Sequence, residues 1–75
     1  MKHTYTERKI HRIFRTNVET LLEKYQWRRA DLARAVGCNR AHVTNILNGS
    51  IKPALPTVIR WANALDVPPH KLLHN

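Results

Sequence analysis

The sequence predicts an all-α fold, and three observations carry the prediction. No segment alternates apolar and polar residues with the period of two that a half-buried strand requires. Apolar residues recur instead at spacings of three and four, the mark of one helical face. The structure-breaking residues fall between those stripes: glycine occurs only at Gly37 and Gly49, proline at Pro53, Pro56, Pro68 and Pro69,. No internal repeat or low-complexity run interrupts the pattern.

The first piece runs from about Thr6 to Tyr25, where Ile10, Ile13, Phe14, Val18, Leu21, Leu22 and Tyr25 form one amphipathic stripe. Thr16-Asn17-Val18-Glu19 also fits a capping box, so the piece is either one long helix or a loose arm followed by a shorter one. The second piece is Arg29 to Val36, with Leu32, Ala33 and Val36 turned inward. Gly37 stands where a helix C-terminus favours a left-handed residue. Asn39 is a good N-cap for the third piece, Arg40 to Asn48, which Gly49 ends by the same logic. The fourth starts near Pro56, where a missing N–H costs nothing, and carries Val58, Ile59, Trp61, Ala62 and Leu65. After Asp66-Val67-Pro68-Pro69 comes a last short turn, His70 to Leu73.

Seventy-five residues make one domain. A chain this short buries only roughly 60% of its unfolded surface, so association with a second copy is a natural supplement. A hydrophobic content of 43% is too high for a disordered tail,. No apolar run approaches the roughly 18 residues of a membrane span, and the opening MKHTYTERKI lacks a signal-peptide core. The single cysteine, Cys38, forbids an internal disulfide and suits a reducing compartment,. Thirteen Lys+Arg against five Asp+Glu give a net charge of +8. That balance points to a polyanion, nucleic acid before membrane, because no segment pairs a basic face with a lipid-grade apolar one.

Two short helices joined at Gly37 have the spacing of a helix-turn-helix. On a wheel of about 100° per residue, Val43, Ile46 and Leu47 of the third piece share one arc. Arg40, Ala41, Thr44, Asn45 and Asn48 fall on the opposite arc, with His42 at its flank. That outer arc holds no acid and is rich in side chains able to read base edges: Arg bonds guanine bidentately, Asn bonds adenine, and Ala or a Thr methyl meets the thymine methyl. From Leu32 to Leu65 there is no Asp or Glu, while Arg34, Arg40, Lys52 and Arg60 lie inside. A surface that faces phosphate gains from that absence.

The segment Leu32-Ala33-Arg34-Ala35-Val36-Gly37-Cys38-Asn39-Arg40, followed by Val43, Ile46 and Asn48-Gly49, resembles the helix-turn-helix family of phage repressors, Cro proteins and their bacterial relatives (the Cro/repressor or XRE type). Pro53, Trp61-Ala62-Asn63-Ala64-Leu65, and Val67 through Leu72-Leu73 continue the pattern, so the likeness covers about residues 17 to 75. It implies a five-helix bundle that binds operator DNA as a two-fold dimer. It divides the chain into residues 1–15, a basic N-terminal extension or the start of helix 1, and residues 16–75, the DNA-binding domain. The position opening the second helix, usually a phosphate-contacting Gln, is Arg29 here. Arg40, Ala41 and Asn45, with Thr44 beside them, stand where the family reads bases. Asn48-Gly49 stands where it contacts backbone. Base-reading candidates are therefore Arg40, Ala41, Thr44 and Asn45; backbone candidates are Arg28, Arg29, Asn39, His42, Asn48 and Lys52. The family often pairs a Glu before the Asn with a basic residue of the first helix. Here those positions are Leu47 and Leu22, an apolar pair that can replace an ion pair without loss.

The other notable residues have plainer readings. Lys2, Arg8, Lys9, Arg12 and Arg15 form a basic stretch opposed only by Glu7. Its simplest reading is a solvated helix face, and its alternative an arm on phosphate or in a minor groove. Arg34 is equally read as turned away from a duplex. Trp61 belongs to the core or a dimer surface, and Trp27 to packing at a helix joint. His3, His11, His70 and His74 share no metal-ligand spacing, and Cys38 has no partner thiol, so neither zinc nor a redox switch is expected. Ser50 is the only serine and the carboxylates are scattered, which leaves an enzyme without support,. No cofactor or small-molecule ligand is expected, and a bacterial cytoplasmic, nucleoid-associated location is.

The expected function is a sequence-specific transcriptional regulator, a repressor of phage or mobile-element type. Two alternatives share the fold: an antitoxin that binds a toxin and represses its own operon, and a restriction–modification controller protein. Dimerisation is expected through Trp61–Leu73, where apolar residues exceed what a small core can bury.

Overall fold

The computed structural model of the chain describes residues 4–75, and Lys2 and His3 of the N-terminal stretch lie outside them. Five helices follow in order: α1 (Glu7–Tyr25), α2 (Arg29–Val36), α3 (Arg40–Leu47), α4 (Leu55–Ala64) and α5 (Pro69–Leu72). Among the described residues there is no strand, and no helix is long and apolar enough to cross a membrane.

α1 is one unbroken helix. Thr6 caps it, its hydroxyl oxygen accepting from the Lys9 N–H at 3.1 Å, and Glu7 and Lys24 stand at the ends where the helix dipole favours their charges,. The capping box at Thr16–Glu19 is not used. Ile13, Phe14, Val18 and Leu22 bury a continuous face on both sides of Thr16, so packing overrides the local signal,. The Thr16 carbonyl accepts from the Thr20 hydroxyl at 2.9 Å instead.

α2 and α3 form the tight pair that the Gly37 spacing predicts. Asp31 reaches back to accept from the Arg28 N–H at 2.7 Å, the return half of a capping box,. At the other end Gly37 takes φ +88°, and its N–H and that of Cys38 both donate to the Ala33 carbonyl, at 2.8 and 3.0 Å. A residue with a Cβ is strained in that conformation, which is why glycine ends this helix. Asn39 caps α3 as expected, its side-chain oxygen accepting from the His42 N–H at 2.8 Å.

One core joins the five helices. Phe14, Val18 and Leu22 from α1 meet Leu32 and Ala33 from α2, and Val43, Ile46 and Leu47 from α3. Val58, Trp61 and Ala62 of α4, with Leu65 and Leu72, close it. The ring of Trp61 lies 5.5 Å from that of Phe14, centroid to centroid. α2 packs on α3 and α4, α4 on α5, and α1 on α5 and α3. Leu22 and Leu47, which stand where the family often has an ion pair, are both buried in this core. Trp27 packs at the α1–α2 joint, edge-on to Tyr25 at 5.7 Å.

One expectation about apolar surface is corrected. The surplus expected over Trp61–Leu73 is absent, because Trp61, Leu65 and Leu72 are fully buried within the chain's own core. The large apolar side chains left outside are Ile51, Leu55, Ile59 and Tyr5.

Candidate nucleic-acid interface

The outer face of α3 is set by what its inner face buries. Val43, Ile46 and Leu47 anchor the helix to the core, and its first turn is fixed by Asn39. Arg40 and Ala41 are then exposed at its N-terminal end, with Thr44 and Asn45 half-exposed one turn on. The four base-reading candidates thus share one face. None is ion-paired among the described residues, and no acidic residue stands in the first turn.

The cationic backbone candidates, Arg28, Arg29 and Lys52, are each already engaged. Arg28 and Arg34 both pair with Asp31, Arg28 through Nε at 3.7 Å. The Arg28 N–H, with smaller contributions from the two guanidinium charges, holds the Asp31 carboxyl below its ordinary value,. Arg29 opens α2 and lies 3.6 Å from Glu19 on α1. Lys52 lies 3.0 Å from Glu7 at the start of α1. Its hydrogen bond and charge, with His11 adding, keep Glu7 below its ordinary value too. The contacts to Glu7 and Glu19 are solvent-exposed on both sides and so contribute little, whereas Asp31 is half-buried,.

Asn39 and Asn48 are partly committed to local structure. Asn39 caps α3, and the Asn48 side-chain oxygen accepts from the Ser50 N–H at 2.9 Å, which leaves its NH₂ outward-facing and unbonded among the described residues. His42 stands apart. It is half-buried and lines a groove of about 230 Å³ between the turn and α4, with Cys38, Thr57, Arg60 and Trp61. The indole N–H of Trp61 is buried without a hydrogen-bond partner among the described residues. No group of three or more His, Cys, Asp or Glu side chains among the described residues could hold a metal ion.

Two features of α1 escape a reading by helical wheel. Arg15 of α1 sets its guanidinium over Gly49, where an added Cβ would lie 3.7 Å from both Cζ and Nη1. Asn17, one residue beyond Thr16, donates through its side-chain amide to the carbonyls of Lys71, Leu72 and His74 at 3.2, 3.0 and 2.9 Å, tying α1 to the C-terminal turn. The only sequence signal for either is a long polar side chain inside an otherwise regular helix.

Comparison with known proteins agrees with this geometry. A solved structure described as a hypothetical transcription factor, NHTF, from Neisseria has the same fold, with a TM-score of 0.84 at 23% identity over 99% of this chain and 85% of that one. No curated protein matches the sequence. A family model described as helix-turn-helix matches residues 18–72, from the middle of α1 through the end of α5. That match spans most of the chain and includes every helix that builds the α2–α3 pair, so the protein belongs to the helix-turn-helix family of DNA-binding regulators of the Cro and XRE type.

Proposed function

We propose that the protein is a sequence-specific transcriptional repressor of phage or mobile-element type, binding a palindromic operator as a homodimer. Each protomer inserts α3 into a major groove, where Arg40, Ala41, Thr44 and Asn45 read base edges. Arg28, Arg29, Asn39, Asn48 and Lys52 flank that helix and, with His42 of the helix itself, meet the sugar–phosphate backbone. A dimer seated across two half-sites covers the duplex, which is itself a means of repression.

The observation that carries this reading is the acid-free outer face of α3. Arg40, Thr44 and Asn45 stand together on a helix held from behind by Val43, Ile46 and Leu47, and no Asp or Glu occurs from Leu32 to Leu65. The dimer reading draws support from Ile51, Leu55 and Ile59, which are 38%, 63% and 41% exposed beside the loop that follows α3. A second copy that covers them sets two α3 helices on one side of a duplex, about one helical turn or roughly 10 bp apart.

The test is selection of bound sequences from a randomised duplex library at about 150 mM salt. The expected result is a palindrome with half-sites roughly 10 bp apart. Recovery of DNA with no enriched sequence would reduce the protein to a non-specific, charge-driven binder and end the reading.

A further inference from the structure

The basic face of α1 has a geometry that a solvated helix face does not require. Arg8, Arg12 and Arg15 are spaced by four and three residues, so their side chains leave the helix within about 60° of arc. They line one surface recess with Thr6 and Lys9. None of the three pairs with a carboxylate among the described residues, although Glu7 and Glu19 stand on the same helix. Both of those acids are directed elsewhere, Glu7 to Lys52 and Glu19 to Arg29. Unpaired like charges gathered on one face repel, and an anion with several negative groups in a row relieves that repulsion.

The position of this face relative to α3 says which anion. The loop that follows α3 touches α1 twice. Arg15 stands over Gly49, the residue after the α3 C-cap, and Lys52 reaches Glu7 two turns further towards the N-terminus. Arg8 and Arg12 fall in the two turns between and beside those contacts. The cations therefore continue the line begun by Asn48 and Lys52, running outward from the reading helix along a helix about 28 Å long,. A duplex engaged by α3 continues in that direction too, with one strand's phosphates spaced at about 3.4 Å of axis.

From this continuity we infer that the Arg8–Arg12–Arg15 face of α1 is a second DNA-backbone site, which grips the phosphates of the duplex flanking each half-site. The inference rests on the reading of α3 as the major-groove helix. It adds that the footprint is longer than the sequence read, and that the added length is recognised by charge without regard to bases.

The experiment compares two labelled duplexes in fluorescence anisotropy, both built on the palindrome recovered by selection. One ends at the outer edges of the half-sites; the other carries about six further base pairs of arbitrary sequence on each side. The protein and its R8Q/R12Q variant are titrated against both, with circular dichroism confirming that the exposed substitutions leave the helices intact. The expected result is about tenfold tighter binding of wild type to the longer duplex, whatever the flanking sequence. The variant loses that gain, matches wild type on the short duplex, and has a salt slope on the long one shallower by about 0.9 per phosphate contact removed. Equal affinity of wild type for the two lengths, or an equal loss by the variant on both, would overturn the flanking site while leaving α3 as the reader. Failure of wild type to prefer the palindrome over a scrambled duplex would overturn both together.

Discussion

The ammonium of Lys52 lies 3.0 Å from the carboxylate of Glu7, across 45 residues of sequence, and ties the loop after α3 to the first turn of α1. Two consequences follow. The pair positions the loop, and it occupies a cation that the proposed function assigns to phosphate. A duplex must displace Glu7 to reach Lys52, and the freed carboxylate then faces the DNA. Glu7→Gln is therefore expected to tighten DNA binding roughly two- to fivefold at low salt, with the gain fading as salt screens the exposed charges. Anisotropy titrations at two salt concentrations check this. Weaker binding by the variant would mean that holding the loop in place matters more than freeing the lysine.

The same pair has a defined pH response. Lys52, with His11 adding, lowers the folded-state value of Glu7 below its ordinary 4.5. A depressed carboxyl value means that the folded state favours the ionised form, so the contribution is fully present above 4.5. It is lost as pH falls through the lower folded value,. Between pH 6 and pH 8, roughly the neutral range, Glu7 contributes no pH dependence to stability or to DNA binding. A carboxyl titration followed by NMR in wild type and Lys52→Ala should show Glu7 moving up towards its ordinary value in the variant. An unmoved Glu7 would assign the depression to another cause.

Arg40 and Arg29 should fail differently when removed. Arg40 opens α3 with no ion-pair partner among the described residues, whereas Arg29 opens α2 and lies 3.6 Å from Glu19. Arg40→Ala is expected to cost about 1–3 kcal/mol on the operator and to relax preference at one base position. Arg29→Ala should weaken all sequences alike and reduce the salt slope by about 0.9. Repeating the selection with each variant distinguishes the two. An operator preference unchanged in Arg40→Ala would move the reading face elsewhere.

Much of the fold was legible because its signals are local. The bounds of α2 follow from Gly37, and the start of α3 from Asn39, each a single residue with a backbone role at a helix end. The outward face of α3 was legible for the same reason, since three apolar residues on one arc leave only one arc outside. What the sequence hid is tertiary. The continuity of α1 through Thr16 depends on what Phe14 and Val18 pack against. The ion pairs of Glu7 and Glu19 join residues of different elements, which no local pattern announces. α4 carries apolar residues over so broad an arc that a wheel cannot tell the buried Val58 from the exposed Ile59, because α2 and α5 decide it.

That distinction bears on the dimer. Leu72 is fully buried in the core, while Leu55 is 63% exposed one turn before the exposed Ile59 on an apolar strip of α4, and Ile51 is exposed in the preceding loop. Leu72→Glu is expected to unfold the protein, since truncating such a residue to Ala alone costs about 2–5 kcal/mol and a buried charge costs more. Leu55→Glu should leave the helical circular dichroism signal intact and shift the sedimentation coefficient from dimer to monomer. A Leu55→Glu variant that still sediments as a dimer would remove this strip from the interface.

Asn17 provides the last prediction, and it concerns stability alone. Its side-chain NH₂ carries two hydrogens yet lies within hydrogen-bonding distance of three carbonyls, those of Lys71, Leu72 and His74, so at least one bond is shared,. These carbonyls end α5, a helix of four residues that cannot hold its own C-terminus by cooperativity,. The amide therefore serves as the cap that α5 lacks and keeps Leu72 in the core. Asn17→Ala is expected to destabilise the fold by about 1–3 kcal/mol. In a domain of this size each kcal/mol lowers Tm by roughly 4–8 °C. Asn17→Asp keeps the shape but replaces the donors with acceptors facing carbonyl oxygens, and should be at least as damaging. Because Asn17 lies on the flank of α1 away from Arg15, DNA affinity measured well below Tm should stay as it is in wild type. Urea unfolding of the three proteins checks the order, and an Asp variant as stable as wild type would show that α5 is held by Leu72 packing and not by the amide.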